Sequence, residues 1–151
     1  LATFRKAVET GGYLAMSIDT NLDAESVRDS YSHPLHGQQL LNIFHRLKRD
    51  LDIFGDLDPK AWEYRTDIEE FEHHGHKVLL ASHVLVATRP QSFFIDKNHI
   101  AIKAGEGLVA DKSYKIPIEL MDIFAKQEGY KPMGSVYDDQ NRMAMPVYQC
   151  I

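Results

Sequence analysis

Gly105-Glu106-Gly107-Leu108-Val109-Ala110-Asp111-Lys112-Ser113-Tyr114-Lys115, followed by the helix-like residues 117–127, is the stretch on which the reading of this chain turns. A glycine-led extended run that passes into an amphipathic segment is a strand leading into a helix. In the helical part Leu120, Met121, Phe124 and Ala125 recur on one side, and Gly129 supplies the C-terminal stop. On the strand, Asp111 and Ser113 lie two residues apart and therefore share a face. A carboxylate that accepts an N–H, beside a hydroxyl that donates or accepts, can hold one planar polar ligand between them. The same spacing also suits an ordinary polar strand end, with Ser113 serving only to cap the helix that begins near Pro117.

Helices and strands are interspersed on either side of this stretch. Downstream, residues 130–137 and 142–149 flank Asp138-Asp139-Gln140-Asn141, the pattern of an antiparallel hairpin. Upstream, residues 92–95 and 99–102 form another across Asp96-Lys97-Asn98. Residues 65–88 read as strand with a turn near His74-Gly75, and the near-continuous apolar run from Val78 to Val86 implies a central strand buried on both faces. Leu40, Leu41, Phe44, Leu47 and Leu51 mark a long amphipathic helix, separated by Pro34 and Gly37 from a shorter one that Asp23 caps and that ends near Tyr31. Leu22 and Val27 are spaced to staple the start of that shorter helix. Asp58-Pro59 opens a further helical turn, with Trp62 packing beneath it. At the start, Leu1, Phe4 and Val8 recur at helical spacing until Gly11-Gly12 stops the helix before an apolar strand at residues 13–18. These elements predict an α+β fold.

Composition narrows the function. With 151 residues, 44% of them hydrophobic, and a net charge of -5, the chain suits one compact soluble domain or a substantial piece of one. The acidic balance argues against a phosphate-binding surface, hence against nucleic acid as partner. Cys150 stands alone, so no intrachain disulfide can form, and a reducing, cytoplasmic setting is the simpler expectation. No apolar run approaches the roughly 20 residues that a membrane span needs, so no membrane partner is expected. His73, His74 and His76 have no nearby Cys, and adjacent strand residues point to opposite faces, which argues against zinc. There is no glycine loop of the phosphate-cradling type and no serine elbow, and Cys150 is a poor nucleophile at its terminal position. No residue is therefore assigned to catalysis, a cofactor or a metal.

The order of segments nevertheless resembles the C-terminal half of the histidine-specific, S-adenosylmethionine-dependent methyltransferases, the family that includes the histidine methyltransferase of the ergothioneine route. Gly11-Gly12-Tyr13-Leu14-Ala15-Met16-Ser17-Ile18-Asp19 looks like the family's glycine-bounded strand ending in Asp. Asp29-Ser30-Tyr31-Ser32-His33-Pro34-Leu35-His36-Gly37 resembles its Ala-Tyr-Asn-Asp-x-x-Gly segment, with Asn42 on the first Asn of the Phe-Asn-x-Asn that follows. Residues 104–115 resemble Gly-Glu-x-Ile-x-x-Glu-x-Ser-x-Lys. The resemblance implies the C-terminal portion of a class I, Rossmann-like methyltransferase sheet, with an inserted α+β substrate-binding domain. Residues 1–20 would end the core with a helix and its fifth strand, residues 21–110 would be the insertion, and residues 111–151 would supply the closing helix and terminal hairpin. S-adenosylmethionine would be bound mainly by strands that precede Leu1, and these residues alone would be inactive.

Carried over residue by residue, Tyr31 matches the tyrosine that holds the amino acid's carboxylate, Ser113 the serine facing the imidazole, and Asp111 stands where the family has Glu. Asp in place of Glu withdraws the carboxylate by about 1.3–1.5 Å, one methylene. Around Ser82-His83-Val84 the family carries Ile-Glu-Met-x-Leu, so His83 replaces a pocket-lining methionine, with no role assigned to it. The implied acceptor widens accordingly to the amine of histidine or of a related amino acid or amine. Tyr31, Asp111 and Ser113 would orient it and exclude water, where most of the rate of such a transfer arises. Tyr31 could equally do no more than end its helix. An alternative from another class is a non-catalytic binding or dimerisation module that pairs two copies through exposed strand edges.

Overall fold

The computed structural model describes residues 1–151 and divides them into two compact units. The first gathers Leu1–Val27, Glu69–Leu80 and Tyr114–Ile151, and the second Arg28–Ile68 and Ala81–Ser113. The mixture of helices and antiparallel sheets is compatible with the α+β expectation. No helix is long and apolar enough to cross a membrane.

In the first unit, helix α1 (Ala2–Ala7) precedes strands β1 (Tyr13–Ala15) and β2 (Ile18–Asp19). Asp23 then caps helix α2 (Ala24–Tyr31), whose residues from Arg28 onward belong to the second unit, its Oδ1 accepting from the Glu25 and Ser26 amides at 3.0 and 3.2 Å. Helix α4 (Ile118–Gln127) leads through Gly129, at φ 77°, into strands β9 (Tyr130–Tyr137) and β10 (Met143–Cys150). Strand β10 lies in the middle of the terminal sheet, with β1 and β2 antiparallel to it along one edge and β9 along the other.

The single strand expected at residues 13–18 is broken, and the sequence of its partner explains why. Ala15 pairs with Val147 and Ile18 with Ala144, which puts Met16 opposite Pro146. A proline carries no N–H to give to the ladder, so regular pairing lapses there and resumes two residues on. Along β10, Ala144, Pro146, Tyr148 and Cys150 are buried, while Met143 and Met145 are exposed. Tyr148 and Cys150 of that set meet Met121 and Ala125 of α4 and Tyr130, with Leu1, Val8 and Leu14 at the margin. Lys115, buried at the end of the strand Gly107–Lys115, is paired through Nζ with Asp19 at 2.7 Å.

The second unit contains helix α3 (Pro34–Asp50), strand β3 (Ile53–Asp56), a 3₁₀ turn at Pro59–Ala61, and the hairpin strands β6 (Gln91–Ile95) and β7 (Asn98–Ile102). Strand β3, not foreseen from the sequence, joins that hairpin in a sheet of order β3-β6-β7. Its four residues include Gly55 and bury little, so no alternation marks them. Phe44 of α3 stacks on Trp62 with centroids 4.5 Å apart, in a core completed by Leu57, Leu85, Ala87 and Phe93. Asp58 opens the 3₁₀ turn as expected, its Oδ1 accepting from the Lys60 amide at 3.0 Å.

Strands β4 (Trp62–His73), β5 (His76–Ala87) and β8 (Gly107–Lys115) pair in the order β4-β5-β8, and each contributes residues to both units. Strand β5 is central, as its near-continuous apolar run requires. His74 and Gly75 both have positive φ, 50° and 75°, the requirement of a tight hairpin turn. His74 is therefore a turn residue and does not point away from His73 as strand neighbours would: the two rings lie 4.5 Å apart, both beside Phe124.

Candidate functional site

Helix α3 starts earlier than its leucine pattern suggests. Pro34 occupies its first turn, where a missing N–H costs nothing, and the His33 imidazole caps it by accepting the Leu35 amide at 3.3 Å. Gly37 is thus inside the helix, not a break in it. It is buried, and a Cβ there would lie 3.0 Å from Cβ of Tyr64, so the glycine lets α3 approach β4 closely. The first turns of α3 bring His36, Gln39 and Leu40 to the wall of a cavity of about 200 Å³.

The remaining lining comes from Tyr31 at the end of α2, His83 on β5, and Asp111 and Ser113 on β8. The three residues singled out in the sequence therefore line one hollow. Tyr31 Oη donates to Ser113 Oγ at 3.3 Å, joining positions 82 apart in the chain. Ser113 does not cap the following helix, whose N-cap is Pro117 with no side-chain bond. Asp111 is exposed, and its Oδ1 accepts from the Lys112 amide at 2.8 Å.

Behind these groups lies a pair of hydroxyls on one face of β4. Tyr64 Oη is 2.6 Å from Thr66 Oγ1 and 2.8 Å from Nδ1 of His83, which is only 5% exposed. The Tyr31 ring meets His83 edge-on, with centroids 4.5 Å apart, and the Tyr64 ring lies nearly parallel to it at 6.0 Å. Burial raises the Tyr64 phenol above its ordinary range, so it remains a neutral hydroxyl at neutral pH. One carboxylate, two imidazoles and several hydroxyls around a small hollow can orient a polar molecule of amino-acid size.

His36, Gln39, Tyr64 and His83 had no sequence signal of their own as a group. His83 alone carried a hint, since the resemblance put it in place of a pocket-lining methionine, and it does line the hollow. Asn42 lies elsewhere, in a larger open groove of about 860 Å³ along α3, which Gln39 shares. The first unit has a separate apolar hollow of about 460 Å³, lined by Phe71, His73, Tyr114, Leu120 and Phe124 among others.

S-adenosylmethionine does not fit the hollow that Tyr31, Asp111 and Ser113 line. The 200 Å³ hollow falls below the roughly 300–1,000 Å³ of sites for drug-sized ligands, and no glycine-rich turn meets it. No step involving the donor is therefore assigned to its residues.

The sequence is 27% identical over 127 residues to the uncharacterized protein y4iF of Sinorhizobium fredii, a match that covers 84% of this chain and 40% of that protein. The match thus spans 40% of the length of this curated relative. The profile of the family described as histidine-specific methyltransferase, SAM-dependent, matches residues 1–150. The chain belongs to the histidine-specific, S-adenosylmethionine-dependent methyltransferase family.

Proposed function

We propose that these residues are the acceptor-recognition and sheet-closing portion of an S-adenosylmethionine-dependent N-methyltransferase acting on the amine of histidine or of a related amino acid or amine. The observation that carries this reading is the convergence of Tyr31, Asp111 and Ser113, from three places in the chain, on one small polar hollow. In it the Tyr31 hydroxyl turns its one hydrogen from Ser113 Oγ to the acceptor's carboxylate, Asp111 accepts an N–H from the acceptor's side chain, and Ser113 completes that contact. All three are positioning residues; none takes a proton in the reaction. Residues 1–20 and 111–151 belong to the end of the methyltransferase core, and residues 21–110 to the inserted substrate domain. That division is supported by the way both ends of the chain share one compact unit while most of its middle forms another. The donor is held by parts of the protein outside these residues, without which they do not turn over.

A second reading, a binding or dimerisation module without catalysis, draws on one feature. Tyr13, Val136 and Met145 are 60%, 63% and 43% exposed on the face of the terminal sheet opposite its buried side chains. The two are separated by incubating the full-length protein with methyl donor and histidine or related amines and following product mass. Gain in steps of one methyl group, lost in Asp111→Ala, supports the enzyme. No gain with any amine, and no acceptor binding by calorimetry, supports the module.

A further inference from the structure

An amine needs a lone pair to accept a methyl group, yet an amino acid carries its α-amine as an ammonium at neutral pH. A side chain on the wall of the hollow that takes this proton is therefore part of the chemistry. The titratable groups there are Tyr31 from α2, His36 from α3, His83 from β5 and Asp111 from β8. A phenol already holds its proton at neutral pH and a carboxylate is too weak a base, which leaves the two imidazoles. His83 is buried, with Nδ1 within hydrogen-bond distance of Tyr64 Oη. His36 is half-buried, and its ring meets the protein edge-on at Tyr31, centroids 5.3 Å apart, with no hydrogen bond or ion pair at either nitrogen.

We propose that His36 is the general base of the methyl transfer: its imidazole takes one proton from the acceptor's ammonium before the amine receives a methyl group. This rests on the reading of the hollow as the acceptor site.

The placement follows from the acceptor's own covalent geometry. In an α-amino acid the amine and the carboxylate share one carbon, so the amine lies beside whatever holds the carboxylate. In the reading above that is the Tyr31 hydroxyl, and His36 packs against the Tyr31 ring. The His36 backbone is fixed in the first turn of α3, its amide donating to the His33 carbonyl at 3.0 Å. In the proton transfer one N–H bond of the ammonium breaks, its electron pair stays on the amine nitrogen, and the proton bonds to the lone pair of the neutral ring. The positive charge passes from acceptor to imidazole, so the net charge beside Asp111 does not change. The partly exposed ring then gives the proton to water, ready for another turnover.

The test uses the full-length protein with histidine as acceptor, and imidazolepropionate, which lacks the amine, as a binding probe; thermal unfolding checks that each variant folds. His36→Gln can still accept a hydrogen bond but cannot take a proton. We expect it to bind histidine within about threefold of the wild type and to methylate it about 100-fold more slowly at neutral pH. The deficit should shrink as the pH rises and free amine accumulates, and imidazole added to the solution should restore at least about tenfold of the rate in His36→Ala. In calorimetry, loss of the amine should cost the wild type about tenfold in affinity and His36→Ala at most about threefold. If Asp111→Ala weakens binding while His36→Gln methylates within about twofold of the wild type at neutral pH, the hollow takes the acceptor but His36 is not its base. Should His36→Gln fail to fold, a rate in His36→Ala that neither higher pH nor imidazole restores overturns the proposal equally. If the wild type binds neither probe and Asp111→Ala changes nothing, the reading of the hollow itself falls and takes the proposal with it.

Discussion

Tyr31 Oη and Ser113 Oγ are joined by a hydrogen bond of 3.3 Å that ties the last residue of α2 to β8 at the wall of the small polar hollow. The bond fixes where the phenol hydroxyl stands before any ligand arrives. We expect Tyr31→Phe to weaken acceptor binding about 10- to 100-fold, the worth of a hydrogen bond to a charged carboxylate. Its unfolding midpoint should shift little, since the ring and its packing on His83 remain. Titration calorimetry beside thermal unfolding reads both quantities.

Asp111 is the one carboxylate on the cavity wall. Asp111→Asn keeps the shape and removes the charge, and should cost a donor-bearing acceptor about tenfold or more in affinity. Asp111→Glu extends the carboxylate by about 1.3–1.5 Å into the hollow. We expect that variant to shift selectivity toward a smaller acceptor side chain, measured as a ratio of affinities across a series of amino acids.

Gly37 tests whether the wall depends on close approach of α3 to β4. Alanine is favoured over glycine inside a helix by about 1 kcal/mol. Here, however, the added Cβ would meet Tyr64 Cβ at 3.0 Å, and forcing atoms into a packed site costs about 1–3 kcal/mol. The strain should win: Gly37→Ala is expected to lower stability by about 1 kcal/mol in denaturant unfolding and, by displacing Tyr64, to weaken acceptor binding as well.

The terminal sheet carries a pH signature independent of the cavity. Tyr148 is fully buried and donates to Asp122 Oδ1 at 2.9 Å; burial first, and the Asp122 bond second, raise its phenol well above the ordinary range. The folded state therefore holds this proton more tightly than the unfolded chain, whose tyrosine ionises near about pH 10. The contribution is fully present below that pH and is lost as the pH rises through the folded value. Unfolding by denaturant between neutral pH and pH 11 should show stability falling in the alkaline range, with a shallower fall in Tyr148→Phe.

Much of the fold was legible because burial imposes periodicity. The both-faces-apolar run of β5, the Asp23 and Asp58 caps and the Asp138 to Asn141 turn each follow from local chemistry that a single sequence displays. Two features were hidden because their cause lies in a distant residue. The gap between β1 and β2 is set by Pro146 on the partner strand, and the place of Gly37 inside α3 by the approach of Tyr64. The hollow was half visible in the same way: Asp111 and Ser113 announce a shared face by their spacing, whereas Tyr64, Thr66 and His83 come within hydrogen-bond distance only once β4 and β5 are side by side.

The most direct measurement is a structure of the full-length protein with histidine and the demethylated form of the methyl donor. We expect the amino acid in the hollow, its carboxylate within hydrogen-bond distance of Tyr31 Oη and its ring against Asp111, Ser113 and His83. Histidine bound at a site that touches none of these residues, with the hollow filled only by water, would refute the assignment.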